Sequence, residues 1–313
     1  MLRMAMGSLI TMGAALALSA CSAGGSSGGS DIGGGDSGSG AGAAPGFAGS
    51  TGVPGGAGMP GGITFGGGPG MGGPGTGNGA IRCDNKLTGV IRDFDPRTHP
   101  DFEPANAMLP GHRPGKTTGE ELGLVQPALG PDFKPIYARD PMNGSNSTYG
   151  QPWFDAWFRD TANLNLSTNY TIEFTDPDGD GVFTFDNGGM QFFPIDRQGF
   201  GNWPNYPPND PAGGLHNYHF TYELHAKFIY RQGMQFTFSG DDDVRVFING
   251  RLAVDIGGIH ARIVRGVNLD TLGLTPNSEY QLDFFWAERQ VSQSNFRIDT
   301  SMEFTDCNLD IPR

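Results

Sequence analysis

The sequence predicts an all-β fold: an antiparallel β-sandwich or flattened barrel with long loops, preceded by a disordered Gly-rich linker. Three observations carry this. Charged residues are only 17% of the 313, whereas Phe, Thr, Val and Asn are plentiful, a balance that suits pleated strands better than helices. Apolar and polar residues alternate with period two in run after run, separated by Gly, Pro, Asn and Asp. Helical spacing is confined to one short aromatic stretch. Many strands with short turns and scarcely any helix give a sandwich or flattened barrel.

The ends of the chain are not part of that fold. Arg3, the apolar run Met4 to Leu18 and the small residues after it read as an export signal over residues 1–20. Leu18-Ser19-Ala20-Cys21 resembles the bacterial lipobox, which implies cleavage before Cys21, lipidation of that cysteine and, with Ser22 following, sorting to the outer membrane. An ordinary signal peptide containing a cysteine is the alternative. Residues 21–80 are nearly all Gly, Ser, Ala and Pro and bury too little apolar surface to offset ordering entropy. A coil of roughly sixty residues reaches about 45 Å, enough for a tether. With Cys21 lipidated, Cys83 and Cys307 remain as an even pair. They read either as a disulfide clasping one domain over residues 81–313 or as two free thiols.

Within that domain the elements follow in order. Leu87 to Phe94 reads as the first strand, and the Pro- and Gly-rich stretch through Asn146 reads as surface loops. Trp153, Trp157 and Phe158 share a face of a short helix over Trp153–Asp160, best read as a core plug. Tyr170–Phe174 and Val182–Phe185 are strands. Between them, Asp176, Asp178 and Asp180 with Gly181 match the opening of a calcium loop, although Asn187 stands where its closing Glu belongs; a plain Asp-Gly turn explains the same residues. His216 to Tyr230 is a long strand. His216, His219 and Glu223 form a nominal zinc set, but strand spacing spreads them over both faces, favouring hydrogen-bonded structural histidines. Met234–Ser239, Tyr280–Ala287 and Asn295–Ser301 complete the strands.

The stretch of most chemical interest is Gly240-Asp241-Asp242-Asp243. It enters a strand in which Val244, Val246 and Ile248 alternate with Arg245, Phe247 and Asn249, predicting one buried face. Asn249-Gly250 supplies the positive φ angles of a two-residue hairpin turn, and Leu252–Ile256 returns to Gly257-Gly258. Three adjacent carboxylates repel unless a cation or a set of N–H donors neutralises them. Hard oxygens at a loop edge suit Ca2+; a solvated acidic turn is the plain alternative. A pI near 4.7 and a net charge of −13 argue against a nucleic-acid partner.

Several motifs, in order, resemble the fibro-slime domain family. They are Arg92-Asp93-Phe94 with His99-Pro100-Asp101-Phe102-Glu103, Phe192-Phe193-Pro194-Ile195-Asp196, His216 to Leu224, Gly240 to Gly250, and Ala287-Glu288-Arg289 with Ser294-Asn295-Phe296. The family is similar to the protective-antigen-type β-sandwich, which also serves as the sugar-binding domain of yeast adhesins. That resemblance implies a Ca2+ site at Asp241 and Asp242, joined by a cis peptide bond. It is completed from the loop Glu288 to Asn295, with Glu288 and Asn295 as further ligands. Asp243 stands where many relatives have Gly, and Arg245 where many have Trp. Asp243, His260 and Arg289 are then candidate ligand contacts. The implied function is a lipid-anchored, Ca2+-dependent carbohydrate-binding or adhesive domain on a bacterial outer membrane, its partner a polysaccharide or cell-surface glycan. It touches the membrane through the lipid alone. The alternatives are a structural slime component without a small ligand, and a glycosidase using Asp242 and Glu288. No catalytic framework is visible in the sequence, and the expectation is a protein that is not an enzyme.

Overall fold

The computed structural model describes residues 83, 85–189, 191–203 and 216–307. The export segment, Cys21 and the Gly-rich linker lie outside the described residues.

Among the described residues thirteen strands and one short helix follow in order. They are β1 (Lys86–Phe94), β2 (Gly119–Glu120), α1 (Gln151–Asp155), β3 (Asn165–Glu173), β4 (Phe183–Phe185), β5 (Phe220–Ile229), β6 (Gln235–Gly240) and β7 (Asp243–Ile248). Then come β8 (Arg251–Ile256), β9 (Gly258–Ile259), β10 (Ile263–Asn268), β11 (Glu279–Glu288), β12 (Phe296–Thr300) and β13 (Glu303–Asp306). The larger sheet runs β3-β1-β5-β11-β7-β8, with β13 also on β5; the smaller runs β10-β6-β12-β4, and β2-β9 form a separate ribbon. All pairings are antiparallel. The fold is therefore the all-β sandwich that the alternation predicts.

The core lies between the two sheets. Tyr222, Leu224 and Phe228 of β5, Phe284 and Trp286 of β11, Val244 and Val246 of β7, Phe236 and Phe238 of β6 and Phe296 of β12 are all buried in it. Burying each such large side chain removes enough apolar surface from water to contribute about 2–3 kcal/mol.

One expectation needs correcting. The alternation in β7 predicts a single buried face, yet all six residues of β7 are buried. The cause is the loop layer, residues 95–164, which covers the outer face of the larger sheet. There a second cluster gathers Phe94, Phe102, Phe154, Trp157, Phe158, Phe247 and Phe285. α1 and the tight helical turn Ala156–Phe158 after it plug this layer, with Phe154 and Trp157 fully buried. Trp153 is only half-buried and packs edge-on against His99 at the margin of this cluster.

The layer also covers charge. Glu223 accepts from Arg92 at 2.6 Å and from His225 at 2.7 Å and pairs with Lys134, while His225 holds Asp283 at 2.7 Å. Burial works to raise the Glu223 carboxyl, but these partners prevail and hold it at about 2. His219 pairs with Glu103 and His216 with Asp196, so the histidines are structural and do not converge on a metal with Glu223.

Cys83 and Cys307 form a disulfide with their Cα atoms 5.7 Å apart. It lies alongside the β13-paired half of β5: Asp306, next to Cys307, pairs with Lys227, whereas Glu288 pairs with Phe220 at the other end.

Candidate functional site

The two connections that matter both cross between the sheets at the Phe220 end. Asp241-Asp242 links β6 of the smaller sheet to β7 of the larger, and residues 289–295 carry the chain from β11 back to β12. The sandwich end thus brings together two segments nearly fifty residues apart. Gly240 is required here: a Cβ would lie 2.2 Å from the Asn295 carbonyl oxygen.

The turn is shaped by its neighbours. Asp242 takes the left-handed conformation at φ 52°, one that Asp tolerates better than most residues. Trp286 Nε1 donates to the Asp241 carbonyl at 2.9 Å. The expected cis bond is absent: among the described residues every peptide bond is trans, and the left-handed Asp242 makes the turn instead.

Each acid has a different task. Asp241 Oδ2 accepts from the Asn295 backbone at 2.8 Å and from its side chain at 2.7 Å. Asp242 accepts backbone N–H bonds from His260, Arg289 and Gln290. Asp243 is fully engaged, with Oδ1 on Gly258 N and Arg245 and Oδ2 on Arg289. Asp243 therefore contacts no ligand; it anchors the turn.

Arg289 is likewise corrected. It is 0% exposed, so it touches the protein alone. Its guanidinium holds Asp243 at 2.7 Å, donates to the carbonyls of Asp101 and Ser147 at 3.0 and 2.8 Å, and stacks over Trp157. This one side chain ties the loop layer to the acidic turn.

Glu288, also 0% exposed, closes the set from behind; neither of its carboxylate oxygens has a well-aligned donor, and Ser294 and the Asp242 carboxyl are its nearest partners. Asp241 Oδ1 is buried without a partner. Burial, then the charges of Asp242 and Asp241, push the Glu288 carboxyl well above the usual range. Burial likewise lifts Asp241, and lifts Asp242 to about 7, with Asp243 adding to the rise of the latter. Orphaned buried carboxylate oxygens are rare in native proteins and costly unless neutralised. Their chemistry fits a hard divalent cation. Among the described residues no three His, Cys, Asp or Glu side chains stand so as to hold a metal by themselves, so backbone carbonyls would share the task.

In front of the acids lies a cavity of about 400 Å3, lined by Asp241, Asp242, Thr118, His260, Gln290 and Ser292 among others. Ser292 stands at φ 111°, a costly conformation of the kind that collects at functional sites. His260 lines the cavity with a buried Nε2 that meets no partner. Its far wall was illegible in the sequence: Thr118 and Gly119 arrive because β2 pairs with β9. Gly257 and Gly258 permit that approach, since a Cβ on either would sit 2.2 Å from a β2-side carbonyl oxygen.

The second candidate loop behaves differently. Asp176 spends both oxygens on the N–H groups of Gly179, Asp180 and Gly181, and Asp180 caps Val182. These acids close their own turn.

No family model matches the chain. Among curated proteins it is 39% identical to psiQ of Dictyostelium discoideum over 224 residues, which is 70% of this chain and 21% of psiQ. It is 43% identical to psiD of the same organism over 187 residues, covering 58% of this chain and 36% of psiD, and 34% identical to psiC over 229 residues, covering 72% and 42%. The chain thus spans less than half the length of each of these relatives. A PA14 sugar-binding domain from an RTX adhesin aligns over 32% of this chain and 59% of its own at 14% identity and a TM-score of 0.24, a likeness too slight to argue from. The expected bacterial outer-membrane location is overturned, because the relatives are proteins of a eukaryote. The homologues of this chain are the Dictyostelium psi proteins.

Proposed function

We propose that the described residues form a fibro-slime-type, carbohydrate-binding domain whose cavity recognises a glycan through Ca2+ held by Asp241 and Asp242 with backbone carbonyls of the 289–295 loop, Asn295 positioning Asp241 and Glu288 buried behind the pair. The observation that carries this is the set of orphaned, buried carboxylate oxygens on Asp241 and Glu288 behind an open polar cavity. Calcium takes six to eight oxygens, so carboxylates from the turn and carbonyls from the 289–295 loop leave positions that sugar hydroxyls can fill. Thr118, His260, Gln290 and Ser292 around the cavity offer the donors and acceptors a polyol needs.

Binding is favoured over catalysis by burial. A glycosidase presents two carboxyls to the scissile bond, whereas Glu288 is sealed off and is not part of the cavity lining. A glycan array probed in calcium and in chelator tests the reading. Calcium-dependent signals lost on the Asp241→Asn, Asp242→Asn double change support it; signals that ignore both calcium and the double change would sink it.

A further inference from the structure

Beside the acidic turn, on the other side of Asn295, lies a smaller cavity of about 190 Å3 that the glycan reading leaves unused. Asp186, Gly189, Arg262, Asn295, Phe296 and Arg297 line it. The two cavities share a wall, because Asn295 lines the smaller one while its side chain is bonded to Asp241 of the larger.

The sheet register explains the two arginines. Ser239 of β6 faces Arg297 of β12 on one side and Val264 of β10 on the other. Phe238 and Phe296 point into the core, so Ser239 and Arg297 lie on the outer face. Arg262, just before β10, donates Nε to Ser239 Oγ at 2.7 Å.

The arginines are not equivalent. Arg297 is neutralised, forked onto Asp299 at 2.8 and 2.7 Å and reaching Asp186 at 3.3 Å. Arg262 is exposed and has no ion pair among the described residues; its two terminal nitrogens donate to no protein acceptor there. In a chain of net charge −13, this is a cationic fork pinned at its Nε and open at its outer edge. A guanidinium held that way is preorganised for a carboxylate or sulfate, since its planar pair of N–H groups matches two oxygens of the anion.

We propose that Arg262 and the cavity it lines form a subsite for an anionic substituent, a carboxylate or sulfate, on the sugar next to the one in the main cavity. This rests on the glycan reading above and makes the ligand an acidic polysaccharide. Arg297 shapes the subsite and Arg262 supplies its charge.

The test is an array of uronate-bearing, sulfated and neutral oligosaccharides in calcium. Each anionic hit is then titrated beside its neutralised counterpart, carbodiimide-reduced for uronates and desulfated for sulfates. The wild-type protein should bind the anionic form about tenfold tighter, and this margin should shrink with added salt. Arg262→Ala should erase the margin and leave the neutral form's affinity unchanged, while Arg262→Lys keeps part of it. Whether uronate or sulfate gives the larger margin identifies the anion. Equal binding of charged and neutral forms, or a margin that survives Arg262→Ala with an unchanged melting temperature, overturns the subsite and leaves the glycan reading standing. Absence of binding to every oligosaccharide overturns both.

Discussion

Raising the pH should destabilise the calcium-free domain, and calcium should reverse the loss. Burial and neighbouring charge hold the Asp242 carboxyl at about 7 in the folded protein, against 3.8 for the free side chain. Between those values the folded state keeps a proton that the unfolded chain has released. Stability is therefore fully present below the lower value and falls as pH rises towards the upper one. A little over three pH units at about 1.36 kcal/mol each sets a scale of roughly 4 kcal/mol for the coupled acids of the turn. Glu288, raised well above its ordinary value by burial and by Asp242 and Asp241, carries the fall further up the scale. Asp101, lifted to about 7 by burial, adds a similar slope, but it is satisfied by Tyr149 N–H and Trp157 Nε1 and has no part in the cavity. Asp93, raised to about 6 by burial, adds to the fall, and buried His99, lowered to about 3 by burial, opposes it below pH 6.5. Calcium should thus remove the contribution of the acidic turn alone, and the comparison with chelator isolates it. Urea unfolding followed by Trp fluorescence from pH 5 to 8, in chelator and in calcium, measures the difference. Glu288→Gln should stabilise the calcium-free protein at pH 8 and blunt its response to calcium. A calcium-free stability that is flat over this range, or a Glu288→Gln protein that responds to calcium like the wild type, refutes the reasoning.

Three further outcomes follow from the same contacts. Arg289→Met takes from buried Asp243 the arginine on its Oδ2, leaving only Arg245 on Oδ1, and should cost about 3 kcal/mol by chemical denaturation; a loss under 1 kcal/mol would mean that the turn does not depend on it. Opening the Cys83–Cys307 disulfide by a Cys83→Ser, Cys307→Ser change frees a sequence separation of 224 residues. The chain-entropy estimate puts the loss at about 5 kcal/mol, and an unchanged urea midpoint would contradict it. Asp176→Ala removes the acceptor of three turn N–H groups and should lower stability slightly while leaving the calcium-induced shift in melting temperature intact. A lost shift would move the cation to that loop.

What was legible in the sequence was local. Alternation places Val244, Val246 and Ile248 inward, and Asn249-Gly250 makes its turn at φ 53° and 70°. The disulfide follows from the spare pair of cysteines. What stayed hidden depends on contacts between distant segments. No periodicity marks residues 95–164 as a covering layer, so Arg245, Glu223 and Arg289 look like solvent-facing or ligand-facing charges until that layer is seen to bury them. Arg289 therefore reads as a ligand contact in the sequence, whereas it is 0% exposed in the fold. Thr118 and Gly119 carry no strand signal of their own; only the pairing of β2 with Gly258 and Ile259 makes them part of the cavity's wall. Arg262 went unnoticed because its meaning depends on Ser239 and Arg297, which adjoin it across the sheet and not along the chain.

The position of the disulfide has a mechanical consequence. Cys83 lies three residues before β1 and Cys307 directly follows β13, and the bond between them sits beside the Lys227 half of β5, away from the acidic turn. A pulling force applied to residues 83 and 307 passes through the covalent bridge and bypasses the hydrogen-bonded strands. The stretch of β5 from Lys227 to Phe220, about 23 Å of extended chain, separates that loaded point from the acidic turn. Tension along the chain can then rise until a covalent bond is tested, while the geometry around Asp241, Asp242 and Glu288 stays unstretched.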